Sequence, residues 1–107
     1  MELAKLIPIL QKFKKYSGNR LWPAIKCKDG YIVSIQASEF HYCFPRENGL
    51  NEYEALEVGY PSENTPEFYP YADGPEETAE VFGYVPIEVI QQVLDSHGGI
   101  VSNTLRK

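Results

Sequence analysis

An α+β fold follows from three features of the sequence. It is an antiparallel sheet of about four strands, with an N-terminal and a C-terminal helix packed on one face. Apolar residues recur at helical spacing near the two ends of the chain. Between them lie short alternating stretches, the first two joined by Asp29-Gly30, a pair suited to a hairpin turn. Strand and helix patterns do not alternate regularly, which disfavours parallel βαβ units. The order expected is helix, four strands, helix.

Leu3, Leu6, Ile7, Leu10 and Phe13 form the first apolar stripe. Pro8 lacks an amide donor, so regular helix is expected either to start near residues 5–7, with Pro8 in its first turn, or to kink there. Lys12, Lys14 and Lys15 suit the negative end of that helix, and Ser17-Gly18-Asn19 ends it. Trp22 to Lys28 and Tyr31 to Ala37 read as a hairpin, with Tyr31, Val33, Ile35 and Ala37 on one face and Ile32, Ser34 and Gln36 on the other. A long connection, 38–51, contains Phe40-His41-Tyr42-Cys43-Phe44-Pro45-Arg46. Tyr53 to Tyr60 is the third strand, stopped by Pro61.

Residues 61–78 hold four prolines, Gly74 and five acids and read as one loop, ordered because proline restricts the unfolded chain. Glu80 to Val85 is the fourth strand. Pro86 opens a helix running to about His97, with Ile87, Ile90, Val93 and Leu94 on its apolar side and Gly98 past its end. The polar tail, 101–107, is expected to fray.

A chain of 107 residues accommodates one domain and one core. It has no run of about 20 apolar residues, the length a membrane span needs. Met1-Glu2-Leu3-Ala4-Lys5 lacks the apolar run of a secretory signal, and two cysteines do not make a disulfide scaffold. The expectation is a cytoplasmic protein.

The net charge of −5 hides a division. Residues 1–30 carry seven bases against two acids, whereas 31–100 carry thirteen acids against one base, Arg46. From Glu47 to Leu105 there is neither Lys nor Arg. Such a field speeds encounter with a positive surface and repels nucleic acid. The acids are interleaved with aromatics, and tyrosine suits interfaces because it brings apolar area and a polar tip at low entropy cost.

Residues with chemical potential are few. Cys27, His41, Cys43 and His97 could ligate zinc, but His41-x-Cys43 is tighter than the usual ligand gap, so no metal site or cofactor is expected. Cys43 with His41 and Arg46 nearby offers a thiol nucleophile and base, without an oxyanion-hole motif. Acid pairs such as Glu76-Glu77 need a shared cleft for acid–base work. No nucleotide-loop, zinc-protease or EF-hand pattern occurs. Arg46 is expected to pair with Glu39 or Glu47, or to bind carbonyls of its own segment.

Five stretches resemble small accessory proteins of bacteriophages, prophages and mobile elements. They are Ser34-Ile35-Gln36-Ala37-Ser38, His41 to Arg46, Glu57-Val58-Gly59-Tyr60-Pro61-Ser62, Gly83-Tyr84-Val85-Pro86 and His97-Gly98-Gly99-Ile100. The resemblance implies a context rather than an activity: such proteins are similar in kind to inhibitors of host defence, including anti-CRISPR proteins. The function expected is therefore non-enzymatic. The chain would bind and block a basic, nucleic-acid-handling host protein such as a CRISPR effector or another defence nuclease. Glu52, Glu54, Glu57, Glu63, Glu67, Asp73, Glu76 and Glu77 would supply charge, and Tyr53, Tyr60, Phe68, Tyr69 and Tyr71 apolar anchors. Two alternatives are a small cysteine enzyme using Cys43 and His41, and a phage regulatory protein that self-assembles, for instance as a homodimer, or binds nucleic acid through its basic N-terminal segment.

Overall fold

The turn at Asp29-Gly30 starts the sheet. Gly30 sits at φ +98°, a conformation open to glycine and strained for other residues, and Asp29 Oδ1 accepts the Tyr31 N–H at 2.9 Å. The computed structural model describes residues 2–17 and 21–101, with the backbone alone for 15–17. In it β1 (Ile25–Lys26) pairs antiparallel with β2 (Ile32–Gln36), which pairs with β3 (Ala55–Gly59), which pairs with β4 (Val81–Pro86). The sheet order is β1-β2-β3-β4, a simple meander. With the helices α1 (Leu3–Ser17) and α2 (Ile87–Ser96) at its two ends, the chain has the expected α+β order.

The first three strands are shorter than their sequence patterns, and the fourth keeps its length but lies one residue later. The first keeps two residues because Trp22 bonds elsewhere: its N–H donates to Gln36 Oε1 at 2.9 Å, and its carbonyl accepts from Gln36 Nε2 at 3.0 Å. Pro23 has no amide to offer a ladder. Val33 and Ile35 of β2, Leu56 and Val58 of β3, and Phe82 and Val85 of β4 are buried. They join Leu3, Leu6, Ile7 and Leu10 of α1 and Ile90, Val93 and Leu94 of α2 in one cluster, so both helices close the same core.

Helix α1 begins at Leu3, earlier than expected. Glu2 O accepts from Lys5 and Leu6, and the Leu3 N–H donates to Gln91 Oε1 of α2 at 2.6 Å, which satisfies the helix start and ties the two helices. Pro8 is therefore sixth in the helix. It costs one hydrogen bond, to the carbonyl of Ala4, a residue on the exposed side. Gly18 and Asn19, expected to end the helix, lie outside the described residues. After α2 the chain turns through Gly98 at φ +89° and runs beside β1, with Lys28 N–H to Gly99 O at 3.1 Å and Val101 N–H to Lys26 O at 2.9 Å. The tail expected to fray is thus tied at Val101, and its remaining residues lie outside the described ones.

Residues 61–78, expected as a loop, contain two 3₁₀ turns, Pro66–Tyr71 and Glu76–Thr78. Phe68, on the first of them, is wholly buried and packs on Phe82 with ring centroids 5.6 Å apart. The Tyr31 hydroxyl meets Thr65 Oγ1 at 2.8 Å. Replacing Phe68 by Ala is expected to cost about 3–5 kcal/mol of folding stability in chemical denaturation. The same change at Phe40, 80% exposed, is expected to stay within about 0.5 kcal/mol.

Candidate functional site

The acidic half does not form one uniform face. Tyr53 is buried, its hydroxyl donating to Glu47 O at 2.7 Å, and Phe68 is in the core. Neither is an exposed anchor, because each ring is the largest apolar group available to seal its segment onto the sheet. Tyr71 is half-buried against the core. Glu57 is half-buried on β3 and faces His41, with Oε2 3.9 Å from Nε2. Glu52 and Glu54 line a separate hollow with Ala4, Ile7, Pro45 and Glu88. Glu67 and Asp73 are exposed on the 3₁₀ turn and just past it.

What the fold does bring together is a groove of about 420 Å³ lined by Tyr60, Glu63, Tyr69, Glu76, Glu77 and Glu80. Each member arrives for a local reason. Pro61 ends β3, and Tyr60 takes φ +52°, rare for a bulky side chain, with its N–H donating to Glu80 O at 2.7 Å. Its ring is 64% exposed. Tyr69 is carried by the Pro66–Tyr71 turn that Phe68 pins, and its hydroxyl donates to Asn64 Oδ1. Glu76 and Glu77 occupy the second 3₁₀ turn. No Lys, Arg or His is among the described residues lining the groove.

No ion pair among the described residues joins Lys5, Lys12, Lys14 or Lys28 to an acid of the 47–95 segment; Lys5 pairs with Glu2 at 3.3 Å. Arg46 pairs with neither Glu39 nor Glu47; its guanidinium lies 5.3 Å from the centre of the Tyr42 ring.

Three elements meet at His97. Its ring stacks on Tyr31 at 3.9 Å and 4°, and its Nδ1 sits 2.6 Å from Asp29 Oδ2 and 3.8 Å from Glu63 Oε1. The Tyr31 N–H and the His97 bond hold the Asp29 carboxyl below the usual carboxylate range, while burial pushes the Tyr31 hydroxyl up to about 12. Asp29, Glu63 and His97 offer ligand atoms within 4.8 Å of one another. A divalent cation there would have to displace the Asp29–His97 bond. The cysteine–histidine set considered from sequence is not what converges.

Cys43 is wholly buried, and its thiol donates to Ser38 O at 3.2 Å. Burial pushes that thiol up, against the thiolate a nucleophile needs. His41 Nδ1 lies 2.6 Å from Ser38 Oγ, so the imidazole is engaged by serine and by Glu57.

Sequence reading passed over the exposed aromatics of the 38–51 connection. Phe40, Tyr42, Phe44 and, from β4, Tyr84 are among the exposed large apolar side chains. The Tyr42 and Tyr84 rings stack at 5.8 Å, and Gly83 leaves room for Tyr42, whose Cβ lies 3.0 Å from where a glycine-to-alanine change would place a methyl. The signal available was the two-residue spacing of aromatics at 40, 42 and 44.

No family model matches the chain, and neither a curated protein nor a solved structure does. The functional reading rests on the residues themselves.

Because the folded-state pKa of Asp29 is depressed, its contribution to stability is present above the unfolded value, near 4, and is lost as pH falls through the folded one. Asp29→Asn is therefore expected to lower the unfolding midpoint at neutral pH. That deficit should shrink towards zero on acidification, as read by thermal melts across a pH series.

Proposed function

We propose that the chain is a non-enzymatic interaction protein of a phage or mobile element. It docks its acidic, tyrosine-bearing groove on a basic, nucleic-acid-handling protein of the host bacterial cytoplasm and blocks it, as anti-CRISPR and other anti-defence inhibitors do. One observation carries the reading. Glu63, Glu76, Glu77 and Glu80 meet Tyr60 and Tyr69 in a single groove whose described lining holds no cation.

The chemistry follows from that arrangement. A cleft lined by one sign of charge concentrates field lines and raises the local concentration of oppositely charged groups. A protein surface built to hold phosphates is the complementary partner, because its Lys and Arg side chains are already spaced for a row of anions. Tyrosine faces add cation–π attraction for those same side chains. Glu67 and Asp73, exposed nearby in the chain, extend the negative field. Charge sets how fast the partners meet, and the exposed Tyr60 ring sets how long they stay.

The test uses the intact chain against a panel of purified CRISPR effector nucleases, followed by biolayer interferometry. The triple reversal Glu76→Lys, Glu77→Lys, Glu80→Lys is expected to lower the association rate by about tenfold or more, and high salt should reproduce the loss. Tyr60→Ala is expected to speed dissociation instead. Reversing Glu52 and Glu54, which lie in the other hollow, should change association about twofold at most. Binding that survives the triple reversal at full rate removes the proposal.

A further inference from the structure

A second cavity has the opposite electrostatic character. It is open, has a volume of about 930 Å³, within the usual size of small-molecule sites, and lies between α1 and the 38–51 segment. Lys12, Lys14, Phe40, His41, Asn48 and Asn51 line it, and no Asp or Glu is among its described lining residues. In a chain of net charge −5 this is the inverse of the prevailing composition.

The groups are arranged to be used from outside. Neither Lys12 nor Lys14 has a carboxylate within ion-pair distance among the described residues. Lys14 is half-buried, and burial pulls its ammonium pKa down, so its charge lacks both full hydration and a partner. Burial lowers the His41 pKa, Glu57 opposes that shift, and Lys14 adds to it, so His41 feels the Lys14 ammonium across the cavity. Asn48 Oδ1 accepts the Glu39 N–H at 2.9 Å, which holds the amide in place while its Nδ2 makes no hydrogen bond among the described residues. Gln11 is locked into the wall: Nε2 donates to Leu50 O at 2.7 Å and Oε1 accepts from Trp22 Nε1 at 3.4 Å. Phe40 is 80% exposed at the rim, a flat apolar ring that the fold does not itself cover.

We propose that this cavity binds a nucleoside phosphate, with the phosphate held by Lys12 and Lys14, the base stacked on Phe40, and the Asn48 and Asn51 amides meeting the polar edges of the base and sugar. Ammonium groups without counter-charges select an anion. The exposed Phe40 ring, the one aromatic ring besides the His41 imidazole among the described lining residues, selects a flat heteroaromatic group, since every base offers a π-face. A free nucleotide fits better than a strand. Beyond a few nucleotides a polyanion would run along a body carrying thirteen acids against one base between residues 31 and 100. This cavity and the acidic groove share no lining residue, so either reading stands or falls without the other.

The experiment is a ¹H–¹⁵N NMR titration of the full chain with adenosine 5′-monophosphate. Inorganic phosphate, adenosine and a short oligothymidylate serve as separate arms. The monophosphate is expected to shift the amides of Lys12, Lys14, Phe40 and Asn48 and to bind about tenfold or more tighter than phosphate or adenosine alone. The double reversal Lys12→Glu, Lys14→Glu should abolish binding. Phe40→Ala should reduce the monophosphate to the affinity of inorganic phosphate. Lys12 and Phe40 are exposed and Lys14 is half-buried, and the variants' spectra report directly whether the fold is kept. If a variant loses dispersion, Lys12→Gln with Lys14→Gln and Phe40→Leu replace them, with the same losses expected at smaller size. No shifts at millimolar monophosphate, shifts confined to other residues, equal binding of phosphate alone, or binding of the oligothymidylate without the mononucleotide would each overturn the proposal.

Discussion

Burial of Phe68 is the contact on which the acidic half depends. Residues 61–78 carry five acids and no base, so their charges oppose compaction. Two carboxylates about 4 Å apart in bulk water repel by about 1 kcal/mol, and by less at the wider spacings of a surface. One phenyl ring moved from water into a core contributes roughly 1.5–3 kcal/mol. The ring against Phe82 therefore outweighs the repulsion, and the 3₁₀ turn that contains Phe68 fixes where Tyr69 and the neighbouring glutamates stand. Backbone ties from Ser62 to Ile32 and from Asp73 to Val81 hold the two ends of the same segment to the sheet.

A second tie works through polar groups. The hairpin turn, the end of α2 and the acidic segment belong to three separate parts of the chain. The Tyr31 hydroxyl reaches Thr65, its ring lies flat on His97, and His97 bonds to Asp29 and faces Glu63. Buried polar side chains without partners are absent among the described residues, so the junction is satisfied. The same Glu63 lines the acidic groove, so the geometry of that groove is coupled to the closure of the first hairpin.

Two concave sites among the described residues carry opposite charge. Carboxylates and tyrosines share one groove; lysines and an exposed phenylalanine share another cavity. Internal neutralisation would have been the ordinary outcome for a protein with both signs. Among the described ion pairs no lysine of the cavity meets a carboxylate of the groove; the contacts at the two sites are His41 with Glu57 and His97 with Glu63, and a concave site dominated by one sign of charge is open to a partner of opposite charge.

How much was legible from the amino acids follows the range of the forces involved. Local physics determined the order of elements. The apolar period of Leu3, Leu6, Ile7 and Leu10, the positive φ demanded at Gly30 and the stop at Pro61 act over a few residues and hold in any context. Charge segregation was equally plain, because it is a property of the residue list. Tertiary structure alone decided which acids and aromatics meet. Tyr53 and Phe68 read as surface anchors, yet both rings are buried in the core beside Trp22, Tyr31 and Phe82. Glu52 and Glu54 went to a different hollow from Glu63, Glu76 and Glu77, since the turn at Tyr60 sends the chain away from the start of β3. Lys12 and Phe40, far apart in the chain, came to line one cavity only once α1 and the 38–51 segment were packed. Alternation along a strand states which face a side chain takes; long-range packing states what else is on that face, and no periodicity carries that information.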